Sequence, residues 1–262
     1  MPLIDADGCL LNVSVEGRDG APTLMLSNSL GCRLEMWQPQ MKALTQLFRV
    51  VRYDRRGHGK SQVTGPYSFE RFGRDALAIL DDLNIDKVHW CGLSMGGMVG
   101  QWLAANAPER IDRLILANTT CYYPDPAPMK NRIPLVRDGG IAAIADTVIN
   151  NWLTEDFRER EPQATANLKA MLLATPVEGY IGCCEALSTL DHRELLPQDR
   201  QAHAGDRRAP RQFDAGCLRR IHAQPHPRRV DDTARCRAYF QYRTAARFRR
   251  CGDRLPDAAL EE

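Results

Sequence analysis

Along the first half of the chain, short apolar runs alternate with stretches in which apolar residues recur every three or four positions. Residues 23–27, 49–54, 88–92 and 114–118 are runs of the first kind and read as strands. Between the second and third, residues 68–83 carry Phe72, Leu77, Leu80 and Leu83 at helical spacing. A buried strand, a helix and another buried strand form a unit of parallel sheet. The predicted class is therefore α/β, a mostly parallel sheet flanked by helices.

From residue 122 to 191 the pattern changes to helices broken by Pro124, Pro126, Pro134, Pro162 and Pro176, with no convincing strand. The clearest helices there are 141–153 and 163–174. A helical insertion after a sheet strand would sit as a cap over the carboxyl edge, where open α/β sheets bind ligands. This divides the chain into a core, 1–121, an inserted cap, 122–191, and a remainder, 192–262, at the position of the rest of the core.

That remainder breaks the pattern. Residues 201–262 hold fourteen arginines and no lysine, and only five of them are Ile, Leu or Val. Such a segment cannot supply further strands of a doubly wound sheet, which need near-continuous apolar runs.

Composition narrows the function classes. A length of 262 residues suits one sizeable α/β domain. The formal net charge of +2 gives no reason to expect a nucleic acid or a membrane as partner, which leaves a small molecule. Asp5, Asp7 and Glu16 interrupt any apolar run near Met1, and no later stretch approaches transmembrane length, so a cytoplasmic protein is expected. The nine cysteines are scattered and contain no CxxC pair. Structural thiols are expected rather than disulfides or a metal site.

The chemistry-bearing motif is Gly92-Leu93-Ser94-Met95-Gly96, a G-x-S-x-G after the strand at 88–91 and before a helical stretch at 98–106. A sharp strand-to-helix turn would lift Ser94 into the pocket as a nucleophile, and the flanking glycines remove side chains that would collide. The Met95 amide, at the positive end of the helix, would donate to an oxyanion. A second donor is expected from the loop Ser27-Asn28-Ser29-Leu30-Gly31, on the backbone of Ser29 with Leu30 as neighbouring candidate, although Asn28 could equally cap a turn. After the next strand, Asp54-Arg55-Arg56-Gly57-His58-Gly59-Lys60-Ser61 fits the D-x-R-G-x-G-x-S pattern. His58 is a tempting general base, but the base in such enzymes comes late in the chain, so it is read as structural.

The stretches 27–31, Met36-Trp37, 53–59, 91–101, 106–118 and 178–187, the last containing Gly182-Cys183-Cys184-Glu185-Ala186, resemble the 3-oxoadipate enol-lactonases of the α/β-hydrolase superfamily. The resemblance runs from the N-terminus to about Leu196. It implies a serine hydrolase, free of metal and organic cofactor, that opens a carboxylate-bearing enol-lactone to 3-oxoadipate in protocatechuate and catechol breakdown, the β-ketoadipate pathway. Arg33, Arg132 and Trp152 are weak pocket candidates for the substrate, each read more readily as structural or solvated.

A serine needs a base to take its proton and an acid to orient that base. The family pattern would place an Asp after the strand following the cap and a His near the C-terminus. Neither stands here in a recognisable setting, since His203, His222 and His226 lie in the Arg-rich stretch with no strand before them. Arginine-rich, lysine-free sequence is what a GC-rich gene yields out of frame. Advancing the back-translated reading by one nucleotide turns 205–212 into Val-Ile-Ala-Gly-Arg-His-Asp and 237–244 into Ala-His-Ile-Ser-Asn-Ile-Glu-Gln with permitted codons. These resemble the family's acid strand and base loop. The shifted Asp straddles the codons of Arg211 and Gln212, and the shifted His those of Ala238 and Tyr239. The expectation is a frameshifted tail; the alternative is a genuine Arg-rich tail suited to an acidic partner. Other readings of the whole chain are a general carboxylesterase, a cofactor-free haloperoxidase, or a catalytically dead product.

Overall fold

The computed structural model describes residues 3–195. Six strands form one sheet: β1 (Leu3–Asp5), β2 (Leu10–Gly17), β3 (Thr23–Ser27), β4 (Arg49–Tyr53), β5 (Val88–Leu93) and β6 (Ile111–Ala117), in the order β1-β2-β4-β3-β5-β6. From β4 to β6 the pairing is parallel, and β1 and β2 run antiparallel at one edge. The four expected strands are all present, with β5 one residue longer than its apolar run and β6 starting three residues earlier. The antiparallel pair was not foreseen. In β2 the apolar Leu11, Val13 and Val15 alternate with Asn12, Ser14 and Glu16, so it contains no continuous apolar run.

Helices α1 (Gln38–Leu47), α2 (Phe69–Asp82) and α3 (Met95–Asn106) flank the sheet. Ser68 caps α2, its Oγ accepting from the Arg71 amide at 3.1 Å. Phe72, Ala76, Ile79 and Leu80 of α2 are buried against the sheet. Most of the apolar stabilisation of the core comes from such faces, at about 25 cal/mol per Å² of apolar surface buried.

The chain between β6 and residue 191 is helical: α4 (Ala127–Gly139), α5 (Ala145–Trp152), α6 (Glu155–Arg160), α7 (Pro162–Leu173) and α8 (Val177–Ser188). The helix expected over 141–153 is two pieces. A 3-10 turn, Ile141–Ala143, follows Gly140 at φ 65°, and α5 proper starts only at Ala145. Bonds of the i to i+3 kind at Ala143 and Ile144 tighten that stretch. The two ends of this helical segment are clasped together. Tyr122 and Asp191 form an antiparallel bridge, the His192 amide donates to the Cys121 carbonyl at 2.8 Å, and the Arg193 guanidinium lies 3.7 Å over the Tyr122 ring.

Helix α8 seats this helical segment on the loop after β4 by backbone contact. A β-carbon at Gly179 would stand 2.0 Å from the Gly57 carbonyl oxygen, so α8 lies directly on the loop after β4. The adjoining Cys183 and Cys184 are fully buried, and burial pushes their thiols up to about 12 and about 11, which leaves both neutral. Cys9, Cys32, Cys91 and Cys121 are likewise free thiols.

At the opposite edge from β1, β6 ends the sheet among the described residues. Asp112 and Arg113 are exposed, and Leu114 and Ile115 only half-buried. The Arg-rich stretch 201–262, with His203, His222 and His226, lies outside the described residues.

Gly179→Ala is expected to cost about 1–3 kcal/mol by overpacking. Urea unfolding checks this, and a variant as stable as the parent would contradict the backbone contact between α8 and the loop.

Candidate active site

Strand register builds the site. Ser27 at the end of β3 pairs with Gly92 of β5, and Leu93 pairs with Ala117 of β6. Ser29 and Ser94 therefore each lie two residues beyond a paired position, on neighbouring strands at the carboxyl edge. Ser94 stands between β5 and α3 with φ 53° and ψ −113°. A non-glycine residue in such a conformation costs about 1–3 kcal/mol and persists only where its surroundings enforce it. Here the enforcement is visible on both sides of the residue. The Ser94 amide donates to the Ala117 carbonyl at 2.8 Å, and its carbonyl accepts from Thr119 Oγ1 at 2.7 Å. A β-carbon at Gly92 would stand 2.1 Å from the Gly96 carbonyl, and one at Gly96 2.2 Å from that of Ser27, so both motif glycines are sterically required.

The helix after the motif starts at Met95, not at residue 98. Met95 thus occupies the first turn, where its amide has no intrahelical acceptor.

The loop 28–31 is held on every side. The Asn28 side chain is buried, donates from Nδ2 to the Tyr53 carbonyl at 2.8 Å and accepts from Trp37 Nε1 at 2.8 Å. It is a post between β4 and the helix entrance, and the turn-capping alternative falls. Arg55 Nη2 donates to the Asn28 carbonyl at 2.8 Å. The Cys32 amide closes a turn onto the Ser29 carbonyl at 3.3 Å. The amides of Ser29 and Leu30 bond to no backbone carbonyl among the described residues.

His58 belongs to this scaffold. Its Nε2 accepts from the Gly31 amide at 3.0 Å, so the lone pair a base would use is already engaged. Burial, then the nearby Arg55 charge, lowers its pKa to about 3 and holds it neutral. Asp54 accepts from the Leu34 amide at 2.7 Å, Asn12 Nδ2 at 2.8 Å and the Lys60 amide at 3.0 Å, while burial raises its pKa. Arg56 makes a two-pronged pair with Asp75 at 2.6 and 2.7 Å. Arg55 and Arg56 are both almost fully buried, and Arg56 is an internal ion-pair former.

The three substrate candidates fall differently. Arg33 is partly exposed and paired at 3.1 Å with Glu35 of its own loop. Arg132 on α4 donates from Nη1 to the Tyr180 hydroxyl at 3.1 Å. Trp152 ends α5, and its Cη2 lies 3.7 Å from where a Gly31 β-carbon would stand.

His58, His89 and His192 are the histidines among the described residues, and each is engaged by a partner other than Ser94. His89 faces Asp112 at 3.1 Å, while His192 Nδ1 lies 3.2 Å from Gln101 Oε1 and its ring meets Phe69 edge-on. Two supporting residues escaped the sequence reading. Thr119, which holds the Ser94 carbonyl, carries no motif; Tyr180 sits inside the distinctive 178–187 segment, but its role depends on contacts remote in sequence. Among the described residues no group of three or more His, Cys, Asp or Glu could hold a metal ion, and no helix is long and apolar enough to cross a membrane.

A serine strained between a central parallel strand and the helix that follows it, beside a small-residue loop on the adjacent strand, defines an α/β hydrolase. The family model described as alpha/beta hydrolase fold matches residues 22–151. 3-Oxoadipate enol-lactonase 2 of Acinetobacter baylyi is 40% identical over 194 residues, 74% of this chain and 73% of the relative. The crystal structure of the enol-lactonase from Burkholderia xenovorans LB400 superposes with a TM-score of 0.72 at 41% identity, covering 74% of this chain and 75% of that one. A thermophilic esterase from Thermogutta terrifontis, with malate bound, gives a TM-score of 0.68 at 29% identity over 74% of each chain. The chain belongs to the α/β-hydrolase family and, within it, to the 3-oxoadipate enol-lactonases.

The buried neutral His58 has a consequence for stability. The folded state keeps it unprotonated to about pH 3, whereas the unfolded chain protonates near its ordinary 6.5. Its contribution, on the order of a few kcal/mol, is complete above that ordinary value and is lost as pH falls towards 3. The urea midpoint should therefore fall between about pH 7 and 5, and His58→Asn should make that fall shallower. An unchanged pH slope in the variant would contradict the assignment.

Proposed function

We propose that the chain is built as a serine hydrolase for the enol-lactone of 3-oxoadipate, with Ser94 as nucleophile. The observation that carries this reading is Ser94 itself, at φ 53° on the turn between β5 and α3 beside the loop after β3. In this mechanism Ser94 Oγ attacks the lactone carbonyl, and the developing oxyanion is stabilised by the amides of Met95 and Ser29. The ring bond breaks, and because the leaving enolate is part of the same molecule it stays tethered in the acyl-enzyme. Water then frees the acid, and the enol tautomerises to 3-oxoadipate. The setting is cytoplasmic breakdown of aromatic compounds, the substrate is a small lactone, and no cofactor, nucleic acid or membrane takes part.

The base and acid would come from the stretch beyond residue 196. We read that stretch as out of frame, so that this chain is impaired. Its arginine-rich, lysine-free composition and the family-like peptides of the shifted reading support this. So does the matched length of 194 residues, about the length that precedes the change in composition. Without a base, the serine retains only the modest catalysis of its oxyanion donors and of binding. A broader carboxylesterase is the second reading, supported by the likeness to the Thermogutta terrifontis esterase.

Restoring the frame after Leu196 is expected to produce enol-lactone turnover that this chain lacks and to make unfolding sharper and its urea midpoint higher than in this chain. Ser94→Ala in the restored protein should reduce turnover by roughly a thousandfold or more while leaving the fold intact. Family-like turnover by the present chain would overturn the frame assignment, and full activity of Ser94→Ala would overturn the nucleophile. A restored enzyme that cleaves simple esters but not the enol-lactone would favour the esterase.

A further inference from the structure

We infer that Arg132 is the specificity-determining cation of the pocket, the residue that grips the free carboxylate of the substrate; this rests on the lactonase reading above. Helix α4 carries Arg132 half-buried towards α8, where Nη1 donates to the Tyr180 hydroxyl at 3.1 Å. Tyr180 is almost fully buried, and its Cε2 lies 3.3 Å from where a Gly31 β-carbon would stand. Gly31 is two residues from Ser29. A hydrogen bond and a ring contact therefore link Arg132 to the loop that faces Ser94.

The charge balance around this arginine gives the second argument. Its charge acts on Tyr180, Tyr123 and Cys184, which are neutral phenols and a neutral thiol. No carboxylate among the described residues pairs with it, whereas the rival Arg33 is already neutralised by Glu35. A half-buried guanidinium among uncharged groups, with one donor used by Tyr180, keeps its charge and its remaining donors available to an anion. A substrate carboxylate is such an anion and can bind in a two-pronged geometry. Tyr180 fixes one edge of the guanidinium and leaves the other donors to the ligand.

Calorimetric titration of the full chain with adipate, and separately with its uncharged dimethyl ester, tests this without requiring turnover. Adipate is expected to bind, Arg132→Gln to weaken it at least tenfold, Arg132→Lys to recover part of the loss, and Arg33→Gln to change it less than twofold. Far-UV circular dichroism melts of each variant separate lost binding from lost folding. Dimethyl adipate should bind more weakly than adipate to the parent, and the two should be indistinguishable in Arg132→Gln. Equal adipate affinity in a folded Arg132→Gln, or no adipate binding by the folded parent, would overturn the inference. Adipate held by Arg132 together with a frame-restored enzyme inert towards the enol-lactone would instead refute the lactonase reading and leave the anion site standing. Enol-lactone turnover with KM unchanged by Arg132→Gln would do the reverse.

Discussion

A β-carbon at Gly96 would lie 2.2 Å from the Ser27 carbonyl oxygen, and its absence is what lets α3 begin against the end of β3. The parallel pairing of β3 with β5 fixes where both strands stop, and the helix must start within one residue of β5. Ser94 is the one residue between β5 and α3, so it makes that turn and takes φ 53°. The bonds from its amide to Ala117 and to its carbonyl from Thr119 hold the peptide against relaxation. Strain, helix onset and the place of the Met95 amide in the first turn are consequences of one steric contact.

Beneath the facing loop lies a polar core whose residues hold one another. Asp54, Arg55, Arg56 and His58 are all almost fully buried, which is costly for each donor or acceptor left unpartnered; Arg55 Nε and Nη1 are two such donors. Arg55 reaches the Asn28 carbonyl, His58 receives the Gly31 amide, and Asp54 gathers the Leu34 and Lys60 amides. The loop after β4 thus serves as the mould for the loop after β3, and α8 presses on the same mould through Gly57 and Gly179. Breaking a buried pair such as Arg56–Asp75 would leave an uncompensated charge, at a cost of about 3–5 kcal/mol. These side chains are polar because they position backbone, not because they react.

Much of this was legible in the sequence. Continuous apolar runs announced β3 to β6, and the flanking glycines with the serine between them announced the elbow. The helical character of residues 122–191 was legible from the lack of strand-like runs there. Strand β2 was missed because it is half-buried and alternating, and the 3-10 turn at Ile141–Ala143 because its apolar spacing imitates a helix. Asn28 was ambiguous because its partners, Tyr53 and Trp37, are 25 and 9 residues away. Thr119 was illegible for the same reason. The likeness of 3-oxoadipate enol-lactonases, read from segments such as 178–187, carried the substrate class that no single motif could supply.

On the function proposed above, Ser94 and its amide donors are one half of a hydrolase site, and the base that completes it belongs to a stretch that this chain carries out of frame. Covalent labelling by a fluorophosphonate, located by peptide mass spectrometry and followed in time, addresses both halves at once. The account requires the label on Ser94 alone, slow in this chain and at least a hundredfold faster in the frame-restored protein. Label at another residue, or equal rates in the two proteins, would contradict it.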